Sequence, residues 1–115
     1  MDQPGLTRLM QEFREKEDQV MGWKAGEYSR DEDRLENFRS IAAFRGQAMS
    51  EVAMSYLMKH IQGLDKAVRT GNYNWVWETG AREGLKQRVA DARNYLLLLA
   101  ACLEEETREK PAAGE

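Results

Sequence analysis

The 115-residue chain has one cysteine, Cys102, one histidine, His60, and two prolines, Pro4 and Pro111. A single thiol makes neither an intrachain disulfide nor a cysteine-rich zinc site, and it suits a reducing compartment. No stretch is strongly basic: 17 Lys and Arg stand against 20 Asp and Glu, a formal charge of −3. Strong duplex nucleic-acid binding through phosphate neutralisation is therefore not expected. The longest apolar run, Tyr95 to Leu103, has nine residues, about half of what a bilayer requires. The first residues lack the charged-then-apolar order of a secretory signal. These absences predict a cytoplasmic protein with no membrane partner. Phosphate-binding glycine loops, GxSxG, HExxH and Cys-His clusters are missing too. Carboxylates remain as the plentiful reactive groups, and oxygen ligands favour Mg²⁺ or Mn²⁺ over zinc.

What is present reads as helix. Breakers are scarce between the two prolines, and the hydrophobic content of 42% supplies one core, so a single helical domain over 1–115 is expected, with residues 107–115 as a frayed tail. Leu6, Met10, Phe13 and Val20 recur at helical spacing, predicting a first helix over about 7–23, with Glu17 on the same stripe. Gly22 and the stretch around Gly26 predict a loop. A second helix is expected over about 33–45, capped by Asp31 or Asp33, burying Leu35, Phe38, Ile41, Ala42 and Phe44, and stopped by Gly46. Ser50 would cap a third helix over about 51–69, with His60 and Leu64 on its apolar face. Residues 70–77 form a loop with three aromatics, Tyr73, Trp75 and Trp77. The fourth helix would start near 80–83 and reach about 106, with Leu85, Val89, Ala92, Leu96, Leu99 and Leu103 as its seam. Four helices with short connections predict an all-α antiparallel four-helix bundle. The last helix is greasier than three partners readily cover, so a homo-oligomer, a dimer or tetramer, is expected.

Several side chains suit chemistry. Glu27, Asp31 and Asp33 belong to the densest acidic stretch and could offer oxygens to a hard divalent ion; the simpler role is favouring the start of a helix. Asp91 falls where a helix is about to become wholly apolar, which is costly unless it is paired, by Arg88 or a lysine, or holds a metal. His60 faces inward, as a hydrogen-bonded core residue or a ligand contact. Lys59 points about 100° away from it, toward phosphate, Asp91 or solvent. Trp75 and its neighbouring aromatics suit base stacking or covering a core edge.

The order of landmarks resembles a family. Gly26-Glu27-Tyr28-Ser29 precedes Asp31-Glu32-Asp33-Arg34-Leu35-Glu36-Asn37-Phe38; Lys59-His60 follows on a long helix, and Asp91-Ala92-Arg93-Asn94-Tyr95 opens the apolar run. Over roughly residues 7–105 this is similar to small phage and prophage proteins related to the nucleotide modification associated domain 1 group. More distantly, it resembles the all-α nucleoside triphosphate pyrophosphatases of the MazG and dimeric dUTPase type. The resemblance implies an oligomeric bundle that handles a nucleotide or modified nucleotide. It implies Mg²⁺ held by Asp91 with Glu27, Asp31 and Asp33, Glu27 and Asp91 being the candidate catalytic carboxylates. Lys59 would face phosphate, with Tyr28, His60, Trp75, Arg88 and Asn94 completing the ligand contacts. The MazG type carries an ExxD where this chain has Arg88-x-x-Asp91, a change that favours holding a nucleotide over hydrolysing it. Three functions follow as expectations: a Mg²⁺-dependent pyrophosphohydrolase, a nucleotide-sequestering protein, or a purely structural helical oligomer.

Overall fold

The computed structural model describes residues 1–27, 35–80 and 82–109. Every helix or strand among them is an α-helix, as expected: α1 (Gln3–Glu27), α2 (Glu36–Arg45), α3 (Met49–Thr70) and α4 (Leu85–Glu109). The chain divides into two compact units, Met1–Asp33 and Arg34–Glu115. Among the described residues no helix is long and apolar enough to cross a membrane.

The first unit contains α1, which is longer than predicted at both ends. Its start is set by Asp2, whose Oδ1 accepts the Gly5 N–H at 2.9 Å while its carbonyl accepts Leu6 N–H at 3.1 Å. Pro4 falls in the first turn, where a missing N–H costs nothing. The helix then runs through Gly22 and Gly26, because a helical glycine costs only about 1 kcal/mol relative to alanine and does not by itself stop a helix. Phe13, on the predicted stripe, is buried.

The second unit is built on α3 and α4, which run antiparallel: Ser50 meets Glu106 at one end and Gly63 faces Arg88 toward the other. α2 is short, 10 residues against 22 in α3, or about 15 Å against 33 Å. It therefore covers only one half of the α3–α4 pair, and the core lies there. Leu35, Phe38 and Ala42 pack with Met49, Val52, Ala53 and Cys102, flanked by Tyr56, Tyr95, Leu98 and Leu99. Three rings lock this half, with Phe38 centred 6.0 Å from Tyr56 and 6.5 Å from Tyr95, and Tyr56 stacked on Tyr95 at 5.8 Å. Burial raises the Tyr95 phenol above its ordinary range, with Tyr56 and Asp91 adding to the effect. Burial likewise raises the Cys102 thiol, reinforced by Glu106 and Glu105.

Four details of the helices differ from the sequence reading. Phe44 is 92% exposed, since it stands two residues past Ala42, about 200° round the helix from the core face. Leu35 occupies the position before α2 and makes no side-chain cap; Asp31 and Asp33 lie outside the described residues. Ser50 is not the cap of α3. Ala48 holds that position, its N–H donating to Glu51 Oε1 at 3.1 Å, and Ser50 lies inside the first turn. The predicted seam of α4 holds in part: Ala92 is buried and Leu85, Val89 and Leu99 are half-buried, but Leu96 and Leu103 are about half exposed, while Cys102, outside that seam, is fully enclosed. Ala53 of α3 and Cys102 of α4, both small and fully enclosed, share the core cluster, with Leu98 and Leu99 packed at its edge. The predicted stops hold. Gly46 and Gly71 end α2 and α3 with φ of 66° and 68°, donating to Ala42 and Ala67 carbonyls respectively.

Candidate ligand-binding site

Beyond the reach of α2, the C-terminal half of α3 and the first turns of α4 are joined by residues 71–84. This segment folds back onto the start of α4: the Asn74 carbonyl accepts Leu85 N–H at 2.9 Å and the Val76 carbonyl accepts Lys86 N–H at 3.3 Å. Two of the amides that begin a helix without an intrahelical partner are thereby satisfied by the loop. Gly84 is buried beneath it, and a Cβ there would come within 2.7 Å of the Val76 carbonyl carbon. A tight turn follows the aromatics, with Thr79 and Arg82 paired through both backbone bonds and Gly80 at φ 58°. Lys86 lies over the rings of both Trp75 and Trp77, at 5.7 and 5.9 Å.

This arrangement leaves a cleft of about 440 Å³ between Lys66, Ala67 and Thr70 on α3, Asn72, Tyr73 and Asn74 on the loop, and Glu83, Leu85 and Arg88. Ligand pockets of small molecules begin at about 300 Å³. Its polar rim is underused. Among the described residues, the Lys66 ammonium, the Asn72 and Asn74 side-chain amides and the Tyr73 hydroxyl have no hydrogen-bond or ion-pair partner. Arg88 is paired with Glu83. Its guanidinium lies across α3 at Gly63, where a Cβ would stand only 2.8 Å from Arg88 Cζ. The glycine is the seat that lets the arginine lie against the helix backbone.

A smaller cavity of about 140 Å³ adjoins it, sharing Glu83, Gly84 and Arg88 and adding His60, Glu78, Gln87 and Asp91. The sequence-predicted residues His60, Arg88 and Asp91 are thus brought together. Asp91 is not tied to Arg88 or to Lys59: it accepts Gln87 Nε2–H at 3.1 Å, and the Lys59 ammonium stands 5.3 Å over the Tyr56 ring. His60 stacks on Tyr95 at 5.1 Å, with its Nδ1 buried and unbonded among the described residues. It is a stacked residue at the cavity wall, not a hydrogen-bonded core histidine. Trp75 lies under Lys86 and Asn94 is half-buried on α4, and neither lines either cavity. Glu27 ends α1, and its side chain, with Tyr28, Asp31 and Asp33, lies outside the described residues. Among the described residues no three His, Cys, Asp or Glu side chains are grouped to hold a metal ion. Asp91 has an amide as its neighbour instead.

Lys66, Asn72, Asn74, Glu78 and Glu83 were not singled out by sequence. Polar residues at a helix end and in a loop read as solvated surface, and only the return of the chain onto α4 makes them neighbours. Gly63 carried the one available signal, a glycine inside a long helix.

No protein-family model matches the chain, and neither a curated protein nor a solved structure does.

Proposed function

We propose that the protein binds a nucleotide or a closely similar phosphorylated, ring-bearing small molecule in the cleft between the end of α3 and the start of α4. The observation that carries this reading is the convergence of unpartnered polar groups, Lys66, Asn72, Tyr73 and Asn74, beside Arg88 in a cavity of about 440 Å³. Lysine and arginine suit a phosphate group, amides suit the edge of a base, and Tyr73 offers a ring face. Hydrolysis is a separate step, and the Gln87 amide on Asp91 supports binding over turnover. The test is a titration of the protein with nucleotides, with and without Mg²⁺, read by the fluorescence of Trp75 and Trp77 and by thermal shift. Stabilisation that needs no metal, weakened about tenfold or more by Lys66→Ala, is the expected result. Pyrophosphate release with Mg²⁺ would make the protein an enzyme after all, and absence of any response at millimolar nucleotide would overturn the reading.

A second reading, self-association of the helices as an antiparallel four-helix bundle, is favoured by the apolar surface of α3 and α4. Met54, Met58, Ile61, Leu96, Leu97 and Leu103 are 39–60% exposed, and a shallow groove of about 470 Å³ runs between Met54, Leu99 and Leu103. An apolar stripe of this kind on a helical pair suits a second copy of the chain. Light scattering decides it: a dimer or tetramer that Leu96→Glu converts to a monomer supports self-association, and a monomeric wild type removes it.

A further inference from the structure

The ion pair between Glu83 and Arg88 differs from the other polar contacts around the cleft. Its two members are unequally held. The Arg88 side chain is 28% exposed and lies in the seat made by Gly63, whereas the Glu83 side chain is 70% exposed and projects from the non-helical residues just before α4. Both line the larger cleft and the smaller cavity. Lys66, the other cation of the larger cleft, has no acidic partner among the described residues.

We propose that Glu83 is a built-in placeholder: its carboxylate occupies the Arg88 guanidinium in the empty protein and is displaced by the phosphate of the incoming ligand. The proposal rests on the binding reading above and specifies its ligand as one carrying a terminal phosphate or diphosphate. A solvent-exposed carboxylate pair contributes little to stability and is easily exchanged. A phosphate can take two parallel N–H bonds from the same guanidinium and reach Lys66 as well. Displaced, Glu83 moves into water without disturbing a helix. The carboxylate therefore excludes uncharged ligands from the arginine and lowers affinity for charged ones by a fixed factor.

The experiment compares wild type, Glu83→Gln and Gly63→Ala by calorimetric titration with inorganic pyrophosphate, a nucleoside monophosphate and the matching nucleoside. Glu83→Gln should bind the two phosphorylated probes about fivefold more tightly, since an exposed pair of this kind is worth that much or less, and should leave the nucleoside unchanged. Gly63→Ala should weaken phosphate binding by pushing Arg88 off its seat. An alanine inside a helix favours folding, and an unchanged thermal midpoint or a raised one confirms that the fold is kept. Arg88 side-chain Nε–H resonances should shift on adding pyrophosphate to wild type. If wild type binds phosphorylated probes but Glu83→Gln binds them no better, the placeholder is wrong and the binding reading stands. If neither protein binds any probe, both fall together.

Discussion

The two ends of the α3–α4 pair are made by the same helices and treat polar groups in opposite ways. At the end covered by α2, the acids of α4 are consumed. Glu106 accepts the Ser50 N–H at 2.9 Å and its hydroxyl at 2.8 Å, and Glu105 pairs with Arg39. At the far end, Lys66, Asn72, Asn74 and His60 Nδ1 find nothing equivalent among the described residues. Beside α2 these acids of α4 are half-buried, where leaving one unpaired would be costly. At the far end Lys66, Asn72 and Asn74 are exposed and cost little unpaired, whereas His60 Nδ1 is buried and still unbonded among the described residues. The covered end is built for stability, and the open end keeps polar groups available.

That contrast has measurable consequences. The largest concerns Phe38, which joins α2 to both tyrosines: Phe38→Ala should cost about 3–5 kcal/mol in denaturant unfolding. A loss under 1 kcal/mol would mean that α2 does not close that end. Gly84→Ala comes next, at about 1–3 kcal/mol, because the new methyl meets backbone rather than a side chain that can move. Its effect should appear mainly in the aromatic loop, as altered fluorescence of Trp75 and Trp77. Glu106→Ala should cost about 1–2 kcal/mol by freeing the Ser50 N–H in the first turn of α3 and the Ser50 hydroxyl, with no effect on ligand binding at the other end. The smallest effect is a pH dependence. The folded protein holds the Cys102 thiol above its unfolded range, so this group's stabilisation is complete below the unfolded value and fades as pH rises through the folded one. The stability gap between wild type and Cys102→Ala should narrow in alkaline buffer, and a gap that widens would contradict the burial of the thiol.

The same contrast explains what could be read in the sequence. The core face of α2 was legible because Leu35, Phe38, Ile41 and Ala42 keep helical spacing, and Gly46 marks the stop. Residues 95–99 were not, because consecutive apolar residues carry no phase, and tertiary packing alone decided that Leu96 and Leu97 face outward. At the site, His60 stood out on the apolar face of its helix and Asp91 at the start of the apolar run, with Arg88 as its possible partner, and the three do share one cavity. Lys66 and the two asparagines gave no sign, since their proximity depends on a loop returning over a helix start. Nothing local in a chain encodes such a return.

That return gives the open end a route inward. The carbonyls of Asn74 and Val76 hold the opening amides of α4, so the loop and the helix start can only fray together. A guest pressing on Tyr73 would tighten or loosen those two amides first. Deuterium uptake at Leu85 and Lys86 is accordingly a reporter of occupancy, sensitive to an event several residues upstream that never touches either backbone nitrogen.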